Sequence, residues 1–119
     1  MVIAKTWTPV AKTAELTNGT MKSAKIGEKE ILLARVGDKY YAADKFCPHM
    51  GGNLSLGKLE GTVVTCPRHH SKFDLIDGKV IRWTDWTGIK ASANRLFRPP
   101  RRLPVFPVKV EGDSVLVEI

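Results

Sequence analysis

The sequence predicts an all-β protein, an antiparallel β sandwich or small barrel. Three observations lead there. Short apolar or alternating stretches recur at close spacing, separated by glycine-containing turns. No long segment keeps the period of an amphipathic helix. Successive stretches are joined by hairpin signals such as Gly37-Asp38 and Asp77-Gly78. Short strands linked in this way close on themselves because each has to bury one face. At 119 residues the chain fits one domain, expected over residues 1–119. A chain of this size buries about two-thirds of its unfolded surface.

In order along the chain, residues 7–10 open the first strand and residues 12–16 are expected to form a helical turn. Residues 20–26 alternate, with Met21, Ala24 and Ile26 as inward positions. Residues 30–36 (EILLARV) are apolar and bounded by Gly27 and Gly37, which makes them the strongest strand. Gly37-Asp38 turns the chain into residues 39–43, and Asp44-Lys45-Phe46 leads into a loop. Gly51-Gly52-Asn53 is a bend whose missing side chains permit close backbone approach. Gly57 and Gly61 punctuate a small turn before a short strand at residues 62–65.

Residues 71–76 and 79–83 flank Asp77-Gly78, read as a type I′ turn. The last hairpin runs over residues 105–110 and 114–119. Between these hairpins, residues 83–104 (WTDWTGIKASANRLFRPPRRLP) are an insertion. Ile89, Ala93, Leu96 and Phe97 fall at helical spacing and Pro99-Pro100 would stop a helix, so a short helix near residues 89–97 is expected. Trp83 and Trp86 are expected to cover the edge of the core, with a docking face as the alternative.

The chemistry lies in residues 47–74, which hold both cysteines and all three histidines. Cys47-Pro48-His49 is a C-x-H box and Cys66-Pro67-Arg68-His69 a C-x-x-H box, with sixteen residues between His49 and Cys66. Two thiolates and two imidazoles suit iron, zinc or an iron–sulfur cluster, and do not suit calcium or magnesium. A structural zinc site ordinarily pairs Cys with Cys and His with His. Here each box supplies one of each, which is what two adjacent irons require when thiolates hold one and imidazoles the other. A zinc-stabilised β interaction module stays as the alternative.

At this point the sequence resembles the Rieske [2Fe–2S] family, whose pattern is C-x-H, a spacer of about this length, and C-x-x-H. The likeness includes Pro48 and Pro67, Gly51-Gly52, Leu54 and Phe73-Asp74. It implies a Rieske-type antiparallel β fold in which two loops form a small cluster-binding subdomain, about residues 44–76, with residues 83–104 as a basic insertion. It implies one [2Fe–2S] cluster on Cys47, His49, Cys66 and His69. Two thiolates leave such an oxidised cluster neutral, whereas four would leave it two charges lower. Rieske centres accordingly lie at about −150 to +300 mV, against about −400 mV for plant-type ferredoxins.

Five further residues near the two boxes are compared with the family. Ser71 matches a serine that donates to a cluster sulfide in high-potential Rieske proteins, and Phe73 replaces a tyrosine that donates to a ligand cysteine there. Gly52 and Arg68 stand where those proteins carry a loop-bridging cysteine pair, and the cation of Arg68 favours the reduced form. His70 follows the ligand His69 where related sequences usually carry glycine, and is read as a bystander.

The function implied is one-electron transfer by a soluble Rieske-type ferredoxin between a flavin reductase and a terminal oxygenase. A small electron-transfer subunit of a larger reductase, like the nitrite-reductase small subunit, is the second reading. Catalysis by the isolated chain is not expected, because a mononuclear iron would need two more histidines and a carboxylate. The whole net charge of +7 resides between Lys79 and Lys109, which carries eight basic residues against Asp85 alone. That suits an acidic docking surface on the partner. No nucleic-acid module is present, and no apolar run nears the roughly 20 residues of a membrane span. Residues 1–5 lack a secretory leader pattern, so the cytoplasm is the expected compartment.

The missing tyrosine hydroxyl and cysteine clip place the midpoint in the intermediate-to-low Rieske range. A redox titration should therefore give a value well below the upper end of about +300 mV, and a midpoint at that end would contradict it.

Overall fold

A computed structural model describes residues 6–48, 51–68, 70–83 and 101–119. Among these residues eleven strands account for the expected all-β architecture: β1 (Trp7–Lys12), β2 (Thr20–Ile26), β3 (Lys29–Val36), β4 (Lys39–Asp44), β5 (Lys58–Glu60), β6 (Val63–Thr65), β7 (Lys72–Asp74), β8 (Val80–Arg82), β9 (Val105–Phe106), β10 (Val108–Glu111) and β11 (Ser114–Glu118). They form three antiparallel sheets in the orders β1-β11-β10, β2-β3-β4-β9 and β5-β6-β7-β8. Two 3₁₀ turns, Thr13–Glu15 and Leu54–Leu56, interrupt them. The first is the helical turn expected after β1.

β3 explains why the molecule has two cores. Ile31, Leu32, Leu33 and Ala34 are all fully buried, and successive residues of a strand point to opposite faces. Ile31 and Leu33 pack with Leu16, Ala24, Ala42, Val115 and Val117. Leu32 and Ala34 pack on the other side with Ala43, Cys47, Leu54, Val64, Cys66, Phe73, Leu75, Trp83 and Leu103. The four-residue apolar run is thus the shared wall between a plain hydrophobic core and one that contains both cysteines. Trp83 lies in that second core, edge-on to Phe73 with ring centroids 6.3 Å apart. Trp86 and the expected helix at residues 89–97 fall outside the described residues.

Three local expectations are corrected. The final apolar stretch is not one strand: β9 pairs with β4 and β10 with β11, so the chain changes sheets at Pro107. Proline has no N–H to continue a ladder. The Asp77-Gly78 turn is wider than type I′. Asp74 N–H donates to the Lys79 carbonyl at 2.9 Å, which leaves residues 75–78 as the loop. A type I′ turn needs positive φ at both central residues, and here Gly78 has it while Asp77 does not. Burial of Leu75, whose N–H donates to the Thr62 carbonyl at 2.8 Å, draws the chain out of the tight turn. Finally, Lys58–Glu60 forms a strand that its short, polar sequence did not announce.

Gly78 receives the returning chain. Leu103 N–H donates to its carbonyl at 3.0 Å, and a Cβ there would meet the Leu103 carbonyl oxygen at 2.0 Å. The small sheet is thereby fastened to the body of the domain.

The two faces of β3 should be separable by mutation. Leu32→Ala and Leu33→Ala should each cost about 2–5 kcal/mol in thermal or denaturant unfolding, but only Leu32→Ala should also speed loss of iron from the folded protein.

Candidate metal centre

Cys47 lies three residues past the end of β4, and Cys66 directly follows β6. Both are buried thiols, 3% and 2% exposed, in the core that Leu32 and Ala34 face. Their loops share one backbone design. The Cys47 carbonyl accepts from Gly51 N–H at 2.8 Å, and Cys47 N–H donates to the Gly52 carbonyl at 2.8 Å. The Cys66 carbonyl accepts from His70 N–H at 3.1 Å, and Cys66 N–H donates to the Ser71 carbonyl at 2.8 Å. Each cysteine is therefore bonded to the fourth and fifth residues after it.

The fourth residue is left-handed in both loops: φ is +74° at Gly51 and +60° at His70. Glycine takes that conformation without cost, and histidine, one of the side chains more tolerant of it, takes it at about 1 kcal/mol or somewhat more. His70 is thus the counterpart of Gly51, which gives a physical reason for the glycine expected there. Its side chain is exposed.

Two glycines press the loops together. A Cβ on Gly52 would lie 2.6 Å from Cys66 Sγ and 3.2 Å from Cγ and Cδ of Arg68. A Cβ on Gly57 would lie 1.9 Å from the carbonyl oxygen of Thr65, the residue before Cys66. Between them the 3₁₀ turn is capped by Asn53, whose Oδ1 accepts from Ser55 N–H at 3.0 Å and from the Ser55 hydroxyl at 2.6 Å. A bridge between Phe46 and Asn53 closes the base of the first loop. Gly52 also faces Arg68, so the two positions compared with a bridging cysteine pair do stand opposite each other.

The remaining site expectations divide. His49 and His69 lie outside the described residues, and no group of three ligand-type side chains assembles among those described. Phe73 is fully buried and brings no hydroxyl. Ser71 is fully buried, and its hydroxyl donates to the Trp83 carbonyl. Two residues were not singled out as site residues from the sequence. Arg82 donates through Nε at 3.0 Å and Nη2 at 2.9 Å to the His70 carbonyl. Arg101 donates through Nη2 at 3.1 Å to the Pro48 carbonyl. Their distance along the chain hid them.

Two buried thiols, brought from matching loops to one place by a glycine contact, make the protein half of a soft-metal electron-transfer centre on an antiparallel β scaffold. The chain belongs to the Rieske [2Fe–2S] domain family, whose profile matches residues 6–93. It is similar to the ferredoxin component of biphenyl 2,3-dioxygenase from Rhodococcus jostii, with 34% identity over 112 residues, 94% of this chain and 92% of that one. It also resembles the ferredoxin component of the naphthalene 1,2-dioxygenase/salicylate 5-hydroxylase systems of a Ralstonia species, at 28% identity over 117 residues, 98% of this chain and 99% of that one. Among solved structures, the complex of reduced oxygenase and oxidised ferredoxin in carbazole 1,9a-dioxygenase holds a chain that matches with a TM-score of 0.73. That match has 27% identity and covers 94% of this chain and 92% of that one. The family implies a Rieske-type [2Fe–2S] cluster, and the donor set and glycine cradle fit one.

Two substitutions probe this geometry. Gly52→Ala should lower the iron-to-protein ratio severalfold while leaving the β-sheet circular dichroism intact, because the new methyl group displaces Cys66 Sγ. His70→Gly should keep the cluster spectrum and change stability by no more than about 1 kcal/mol, the left-handed cost relieved against glycine's greater unfolded entropy. His70→Val should destabilise the loop and shed iron.

Proposed function

We propose that this protein is a one-electron carrier, a ferredoxin-type component that delivers electrons to an oxygenase. The observation that carries the reading is the pair of like-built cysteine loops held in contact through Gly52 and Gly57. The ferredoxin components named above, matched over more than nine-tenths of their length, support it.

In this reading the thiolates of Cys47 and Cys66 hold one iron and the imidazoles of His49 and His69 the other. The bound cluster supplies reversible uptake of one electron. The chain's own contribution is a rigid, largely dry pocket: Leu54, Val64, Phe73 and Leu103 surround the thiols and are all fully or almost fully buried. Residues about 44–76 are proposed as the cluster-binding subdomain of a single domain. The donor is proposed to be a flavin reductase and the acceptor a terminal oxygenase. No helix among the described residues is long and apolar enough to cross a membrane. The cytoplasm is the proposed compartment, where both cysteines serve the metal and none a disulfide.

Anaerobically purified protein should be red-brown, with two irons and two acid-labile sulfides per chain, as a Rieske centre requires. With a flavin reductase and a Rieske oxygenase it should sustain substrate-dependent turnover that stops when it is left out. A colourless protein containing zinc would overturn the reading.

A further inference from the structure

The two cysteine loops carry positive charge and no carboxylate. Residues 45–59 contain Lys45 and Lys58, which pair with Glu30 and Glu60 at 3.1 and 3.8 Å, and residues 61–73 contain Arg68 and Lys72, with neither Asp nor Glu inside either stretch. To these the fold adds two arginines from outside. Arg82 clasps the second loop at the His70 carbonyl, and Arg101 clasps the first at the Pro48 carbonyl. Arg68 stands on the second loop beside Gly52 of the first. All three arginines are exposed. Hydrogen bonds to backbone carbonyls leave a guanidinium its full charge, and among the described residues no carboxylate pairs with Arg82 or Arg101. On the first loop Phe46, the residue before Cys47, leaves 46% of its surface exposed.

We infer that Arg68, Arg82 and Arg101 form a cationic collar around the end of the molecule from which the electron leaves, and that this collar docks an acidic protein surface, with Phe46 as an apolar contact within it. The inference rests on the electron-carrier reading and names the chemistry of its partner. Arginine and aromatic side chains are what protein–protein interfaces enrich. Fixed charge at the contact speeds encounter and sets orientation more than it adds affinity. The step served is the loss of one electron by the reduced carrier to a one-electron acceptor, with no bond made and no proton moved.

The test uses the whole protein, reduced with dithionite and mixed in stopped flow with an acidic and a basic ferric c-type cytochrome of matched potential. One electron passes from the carrier to each ferric haem, giving ferrous haem. The wild-type rate constant with the acidic cytochrome should exceed that with the basic one at low salt. It should fall about tenfold or more as ionic strength rises to ~0.5 M. R82Q/R101Q should lose most of that advantage, and R82K/R101K should keep it. The control is K39Q/K109Q, which removes the same charge at the far end of β4, where Lys39 and Lys109 line one groove. It should react like wild type.

Equal effects of the arginine and lysine pairs, or a preference for the basic cytochrome, would overturn the collar and leave the carrier reading intact. If R82Q/R101Q loses its visible absorption, the salt dependence of the wild type decides: a rate with the acidic cytochrome that is flat in salt overturns the collar. A wild-type protein that takes up no electron reversibly takes the carrier reading down, and the collar with it.

Discussion

Contact between two glycines and the strand end that carries Cys66 is the constraint on which the rest of this structure depends. A methyl group at Gly52 would sit 2.6 Å from Cys66 Sγ, and one at Gly57 would sit 1.9 Å from the Thr65 carbonyl oxygen. Neither place has room for a side chain, so the first loop can lie against the second only with bare backbone. Glycine costs unfolded-state entropy of roughly 0.5–1 kcal/mol per position relative to alanine. That cost is accepted where no other residue lets two loops meet at a buried thiol.

The loops are held by what lies behind them. β3 sends Leu32 and Ala34 into the core shared with both cysteines and Ile31 and Leu33 into the opposite core. Movement of either loop would therefore disturb a strand packed on both faces, and packed interiors resist small displacements. An electron carrier benefits from such stiffness, because a site that reorganises little on gaining charge exchanges electrons with a lower barrier. Burial serves the same end by excluding water from the thiols.

The surface around the site is tuned differently from its interior. Phe73 and Ser71 give the buried side a phenyl ring without a hydroxyl and a hydroxyl committed to the Trp83 carbonyl. The exposed side instead gathers arginine, with Arg82 and Arg101 each reaching a backbone carbonyl of one loop. Interior and rim thus differ in character: apolar packing lines the buried side, and cations line the exposed one.

Much of this was legible in the order of residues, and the reason is local. Metal preference follows from which donors are present, so the C-x-H and C-x-x-H boxes point to the Rieske family before any coordinates. Hairpins at Gly37-Asp38 and around Gly112 follow from which residues accept positive φ. The sequence could not show that burial of Leu75 widens the turn at Asp77-Gly78, that Pro107 moves the chain between sheets, or that Arg101 returns from 53 residues away to hold Pro48. Nor could it show that His70 plays the backbone part of Gly51. Each of these turns on which distant atoms come within a few ångströms, and such distances exist only once the chain has closed on itself.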